Sequence, residues 1–288
     1  MASPREIRRR IRSISSTAQI TKAMQMVAAS KMRKAQQSAI DVRPFVRLLY
    51  RLQRTATTRP INFKHPLLEK REVRTRAIIL VASDKGLCGA LNSNLFRLVG
   101  RFDPRSTVFI TAGRKAAQFV ARTRRQLIAE FPYGDTPRFA ESRAIAALVR
   151  DLFLKGEVDA VQVAATRFVN TLTQQPFVAD FLPIGDIKGL EFPGLPSAEA
   201  LAADVTEFLF EPSASDIIGY LLGHYLNIFI HLVLLNAKAS EQSARMVSMK
   251  SATDNAAEMI RDLTLEYNKL RQGRITQELL EIAGGQSG

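Results

Sequence analysis

Between His224 and Gln272 the chain runs for 49 residues without a glycine or a proline. Within that run Met246, Met249, Thr253, Ala256, Ile260, Leu263, Tyr267 and Leu270 step alternately by three and four, and Thr253 is the polar exception. This is the heptad seam of a helix that packs along its whole length. It predicts a C-terminal helix over residues 213–283, whose unpunctuated part alone spans about 73 Å. A second such pattern opens the chain. Residues 5–43 lack glycine and proline, and Ile7, Ile11, Ile14, Ala18, Thr21, Gln25, Ala28, Met32, Ala35, Ala39, Val42, Val46 and Leu49 repeat the same stepping, with Thr21 and Gln25 as its polar members. Two long seams at opposite ends of one chain predict that the N- and C-terminal helices pair as an antiparallel coiled coil. The first helix is expected to start at Ser3-Pro4 and to run to about Arg54, with Pro44 a place for a kink and residues 55–60 a breaker. Alanine, threonine and methionine in the seam let helix axes approach closely.

The middle of the chain changes period. Short apolar runs at residues 76–82, 107–111, 127–131, 158–168 and 177–184 read as strands, and residues 91–102, 113–124 and 139–154 as helices between them. Strands alternating with helices predict a compact Rossmann-like α/β domain with a mostly parallel sheet. Residues 188–197, rich in glycine and proline, read as a linker. The expected organisation is an N-terminal coiled-coil helix at 1–58, a central α/β domain at 59–205 and a C-terminal coiled-coil helix at 206–288. Residues 217–235 carry no Lys, Arg, Asp or Glu and are long enough to span a membrane. His224, Asn227 and His231 inside that stretch favour a helix buried between the N-terminal helix and the α/β domain instead, because polar groups in lipid are costly.

Charge sharpens the picture. The formal net charge is +14, yet residues 1–76 alone carry +15 and the remainder −1. A basic N-terminal arm fits an acidic protein surface, a nucleic acid or a membrane. The first dozen residues lack the apolar core of a signal peptide, and their heptad runs on into the helix, so they are read as structure. Cys88 is the single cysteine, which excludes an internal disulfide and a cysteine-cluster metal site.

Candidate chemistry is sparse. The turn Gly86-Leu87-Cys88-Gly89 lacks the spacing of either phosphate-binding glycine motif. His224 and His231 are two helical turns apart, about 10 Å, too far to share a metal. Asp84 and Lys85 at a strand end have no nucleophile–base partner nearby in sequence. The expectation is no catalytic, metal or cofactor site.

Three runs carry a family resemblance: residues 20–34 (ITKAMQMVAASKMRK), 239–256 (ASEQSARMVSMKSATDNA) and 268–279 (NKLRQGRITQEL), with the turn at 86–92 (GLCGALN). The chain resembles the gamma subunit of F-type ATP synthases along its whole length. That resemblance implies a central rotor shaft, non-catalytic by itself, whose paired helices enter a ring of three alpha and three beta subunits. It implies an α/β foot beside the epsilon subunit and the membrane c-ring, with one copy per complex and no bound cofactor. Carried over residue by residue, Lys22 and Met24 match the lower contact with beta, and Arg245 lies on the facing helix. Arg271, Gln272 and Thr276 match the upper beta contact, and Glu211 matches the foot surface toward epsilon and the c-ring. The regulatory cysteine pair of chloroplast forms is absent here. With no transit-type leader recognised, the resemblance implies a peripheral protein on the cytoplasmic face of a bacterial plasma membrane. The alternative reading is a basic coiled-coil nucleic-acid-binding protein, supported by the +15 arm but by no DNA-reading motif.

Overall fold

A computed structural model describes residues 3–58, 65–184 and 214–285. Helix α1 spans Pro4–Thr58. A 3-10 turn at Pro66–Leu68 leads to β1 (Arg76–Val81), α2 (Leu91–Val99), β2 (Thr107–Ala112), α3 (Arg114–Arg122), β3 (Gln126–Phe131), α4 (Phe139–Leu154), β4 (Ala160–Phe168) and β5 (Gln174–Leu182). Helix α5 spans Ala214–Gly285, 72 residues. The described residues fall into two compact units. One comprises residues up to Ala29 and from Arg245 onward, and the other comprises Ser30–Ala244.

The second unit is built on a five-stranded sheet ordered β3-β2-β1-β4-β5. Strands β1 to β4 are parallel, and β5 returns antiparallel beside β4. The period of two sorts the side chains to two faces. Ile79, Val81, Ile110, Val163 and Ala165 point to one face, where Ile145, Val149 and Phe153 of α4 and Leu226, Phe229, Ile230 and Val233 of α5 cover them. Ile78, Leu80, Phe109 and Ala164 point to the other face, under Leu95 and Val99 of α2 and Ala116 and Val120 of α3. Both faces of the inner strands are therefore buried, which explains why they read as unbroken apolar runs rather than alternating ones. β3 pairs with β2 alone and is mostly exposed, as an edge strand is.

The charge-free stretch of α5 is long and apolar enough to cross a membrane, but most of it is buried inside the protein. Its apolar side chains lie on the sheet, while Ile228 and Leu232 pack against Val42 of α1. Its polar groups are accommodated too. The His231 Nδ1 and the buried Ser142 hydroxyl of α4 share a 3.0 Å hydrogen bond, and the His231 ring stands edge-on to Phe139. Burial holds the His231 imidazole below its ordinary pKa, against the pull of Glu141. This is the packing of a helix built into a protein core.

The first helix runs further than expected. α1 passes through Pro44 and through the expected breaker to Thr58. Pro44 sits on the exposed side of the helix, where a carbonyl left without its N–H partner remains open to solvent. The α3 start depends on Gly113, whose φ is +93°. A Cβ there would lie 2.1 Å from the Ala82 carbonyl oxygen and 3.2 Å from the Tyr133 ring. The strand ends of β1 and β2 approach this closely because the residue between them has no side chain. Gly113→Ala is expected to destabilise the α/β unit by about 2 kcal/mol or more, through both strain and overlap. A thermal melt checks it, and an unchanged midpoint would refute this role for Gly113.

Candidate functional site

Two arrangements bring functional side chains together. The first is the helix pair of the first unit. Every seam position expected on α1 within this unit, from Ile7 to Ala28, is buried or half-buried, and so is every one on α5 from Met246 to Leu270. The register is set by two contacts. The hydroxyls of Thr21 and Thr253 share a 2.7 Å hydrogen bond. Arg8 donates to the Tyr267 hydroxyl, its guanidinium 5.2 Å from the centre of that ring. As residue numbers rise on α1 they fall on α5, so the pair is antiparallel. Two of the three polar members of the seams, Thr21 and Thr253, therefore meet each other, and neither hydroxyl is left facing apolar neighbours unpaired. Thr21 also reaches the Ala18 carbonyl and Thr253 the Met249 carbonyl.

The same register places the start of α1 near Leu270, so no described residue of α1 lies opposite α5 beyond about Gln272. From there α5 is a single helix, about 20 Å long at its usual rise. Arg271, Gln272 and Thr276 stand together at this transition, all exposed, and the Thr276 hydroxyl donates to the Gln272 carbonyl at 3.0 Å. Lys22 is exposed and Met24 half-buried. Two residues apart on a helix, they face different sides. Arg245 is buried, and the register puts it about five residues along α5 from the level of Met24. Glu211 lies outside the described residues.

The second arrangement lies in the α/β unit, at the C-terminal ends of the parallel strands. Lys238 of α5 is 1% exposed. Its ammonium is 3.0 Å from Glu241 and 3.9 Å from both Asp84, after β1, and Asp135, after β3. It also sits 4.5 Å from the centre of the Tyr133 ring. Asp135 accepts a second cation, Lys31 of α1, at 2.6 Å. That bond, with the charges of Lys238, Lys31 and Lys85, holds the Asp135 carboxyl below the ordinary range despite partial burial. Asp84 in turn accepts from the Arg114 N–H at the head of α3, and the Tyr133 hydroxyl donates to the Ala82 carbonyl. One turn further along α5, Ser240 donates to the Thr166 carbonyl at 3.1 Å and Ser243 to the Thr171 carbonyl at 2.7 Å.

Sequence reasoning noticed Asp84 but not this cluster. The available signal was a lysine three residues before a glutamate in a segment otherwise patterned for burial. The turn at Gly86–Gly89 proves to be braced from within. Asn92 accepts from the Ser83 N–H and donates to the Ser83 hydroxyl at 2.7 Å and to the Cys88 sulfur at 3.5 Å. Among the described residues, no three His, Cys, Asp or Glu side chains are placed to hold a metal ion.

Comparison with known proteins identifies the family of the chain. A family model described as ATP synthase matches residues 3–288. The ATP synthase gamma chain of Opitutus terrae is 47% identical, with 99% of this chain and 98% of that one covered. The chain belongs to the ATP synthase gamma chain family. The gamma chain of Methylacidiphilum infernorum agrees, at 43% identity with 99% of both chains covered. The rotor of Euglena gracilis mitochondrial ATP synthase in rotational state 1 has the same fold, with a TM-score of 0.66 over 94% of this chain and 98% of that one at 19% identity. The central stalk and c-ring assembly from Tetrahymena thermophila contains a chain at TM-score 0.59 and 24% identity, covering 81% of this chain and 99% of its own. As a gamma chain, this protein is a non-catalytic subunit of the central stalk, and it works within the membrane-associated ATP synthase complex. The nucleic-acid alternative finds no support among these relatives.

The Thr21–Thr253 pair yields a direct expectation. Replacing either threonine by valine strands the other hydroxyl against its own helix and should cost about 1 kcal/mol, while replacing both should cost less than the sum. A double-mutant cycle on thermal unfolding checks the coupling. Strict additivity would mean that the two hydroxyls do not depend on each other.

Proposed function

We propose that this chain is the single rotor shaft of an F-type ATP synthase on the cytoplasmic face of a bacterial plasma membrane. Its helix pair stands inside a ring of three alpha and three beta subunits, and its α/β domain serves as a foot against the epsilon subunit and the c-ring. Proton or sodium flow turns the c-ring and the chain with it. The shaft is asymmetric, so each beta site meets a different face of it at each step and passes in turn through tight, loose and open states.

The observation that carries this reading is the outer surface of the helix pair. Ile20, Met26, Val27, Met259 and Leu265 are more than half exposed there, and so are Leu279 and Leu280 on the single-helix end. Apolar side chains along a helix face gain from being enclosed. Exposed arginines and Lys22 lie between them, which suits a sleeve that is apolar with acidic loops. In this assignment Met24, Lys22 and Arg245 serve the lower beta contact. Arg271, Gln272 and Thr276 serve the upper one, and Glu211 faces epsilon and the c-ring.

Reconstitution with the alpha and beta subunits of the same organism tests the assembly. Native mass measurement should give one copy of this chain on three alpha and three beta. A free chain beside an empty ring would overturn the shaft reading.

The contact assignment has its own test. Met24→Lys adds a cation to the helix pair at the lower beta contact and is expected to lower the number of ions pumped per ATP hydrolysed, with hydrolysis itself retained. An unchanged ratio would remove Met24 from that contact.

A further inference from the structure

We propose that Lys238 is the positioning residue through which torque passes between the α/β domain and the two long helices. The proposal rests on the rotor reading above. A rotating shaft joined to a foot needs contacts that resist turning and sliding of the helices on the sheet. The apolar contacts of α5 with the sheet are broad and close-packed, but the hydrophobic effect behind them has no direction of its own. Besides the His231–Ser142 hydrogen bond, the directional contacts described for α5 are concentrated between Lys238 and Ser243.

Lys238 is where they converge. Its ammonium is shared by Glu241 on α5 itself, Asp84 on the loop after β1 and Asp135 on the loop after β3. Asp135 passes the connection to α1 through Lys31 at 2.6 Å. Tyr133 packs its ring on the same ammonium and fastens its own hydroxyl to the end of β1. One buried cation therefore ties two helices to two loops of the sheet. Ser240 and Ser243 add neutral bonds to the Thr166 and Thr171 carbonyls at and after the end of β4. Around a desolvated charge these interactions are stronger than their exposed counterparts, and they fix the rotation of α5 about its own axis.

This role differs from plain stabilisation. A buried ion pair exchanged for neutral groups of similar shape often leaves a fold as stable as before. The double variant Lys238→Met with Glu241→Gln removes the buried ammonium together with its most buried carboxylate, and leaves ionised only the more exposed Asp84 and Asp135. Such a rotor is expected to assemble, melt and hydrolyse ATP without load as the parent does, but to be torsionally softer.

The experiment uses the complex of this chain with alpha and beta subunits, the ring fixed to a surface. A bead is attached through Ser93→Cys on the exposed side of α2. Angular fluctuations of the bead report the stiffness of the rotor. In the double variant, stiffness should fall by roughly half, because the network acts as one unit. Asp135→Asn, a change at a half-exposed residue that leaves Lys238 in place, should soften the rotor in the same direction but less.

Stiffness equal to the parent's in the double variant overturns the proposal. Should the double variant not assemble, Asp135→Asn decides, and parental stiffness there overturns it equally. A parent complex that assembles and hydrolyses ATP while its bead does not rotate overturns the rotor reading itself, and the proposal with it. That result is distinct from a rotating parent with an insensitive Lys238.

Discussion

One helix carries two incompatible duties, and the rest of the structure follows from that constraint. Over its first part α5 is a core element of an α/β domain, apolar on more than one side because a sheet and α1 both cover it. Over its last part it is half of a helix pair with a single narrow seam and a polar or exposed remainder. The burial pattern must therefore change along one uninterrupted helix. The change comes between Lys238 and Arg245, where apolar covering gives way to fully buried polar side chains: Lys238, Ser240, Glu241, Gln242 and Ser243. Lys238 and Glu241 are tolerable in the interior because they pair with each other, and Ser240 and Ser243 because the Thr166 and Thr171 carbonyls accept from them.

The location of that cluster bears on why a doubly wound sheet here carries no chemistry. In such sheets ligands bind outside the carboxyl ends of the strands, where the strand order reverses. In the order β3-β2-β1-β4-β5 the reversal lies between β1 and β4. The loops after these two strands hold Asp84 and Thr171, and both contact α5, through Lys238 and Ser243. The place that other α/β proteins offer to a cofactor is used to seat the chain's own helix. The fold is thus kept for its rigidity and its edge of hydrogen-bonding loops, and those loops serve attachment.

The helices were legible because their signal is periodic and local. From Ile7 to Val42 and from Met246 to Leu270, each seam residue is placed by the residues three and four before it, and tertiary packing only had to honour that spacing. The inner strands were legible as unbroken apolar runs. The edge strand β3 was weaker, because an exposed strand such as Gln126–Phe131 loses the burial that makes strands readable. Thr21 and Thr253 were visible as the polar members of two seams, but their pairing is a fact of register, and register lies in no single segment. The Lys238 cluster was the least legible feature. Lys31, Asp84, Asp135, Lys238 and Glu241 come from four places in the chain, and only the last two are close enough in sequence to suggest each other. The charge balance also misled in part. The sum over residues 77–288 is near neutral, yet Arg97, Arg101, Arg105, Arg114, Arg122 and Arg124 are all exposed on or beside α2 and α3, their charge offset by acids elsewhere.

The seam chemistry and the exposed apolar residues are two sides of one requirement. A seam of leucines would bury more surface and hold the pair together unaided. This seam instead mixes alanine, threonine and methionine with a few isoleucines, and it leaves Leu265 at 70% and Leu280 at 67% exposed on the outside. In water that choice is doubly unfavourable, with a modest interior and apolar area left in contact with solvent. Enclosure reverses the balance. In the proposed assembly, small seam residues would keep the pair narrow enough to fit within a sleeve, and the outward apolar side chains would meet a surface that water no longer occupies. Bulky side chains projecting singly, rather than as a continuous ridge, make contacts that are individually weak. A shaft that must leave each position as readily as it enters it is better served by many such contacts than by one deep anchor.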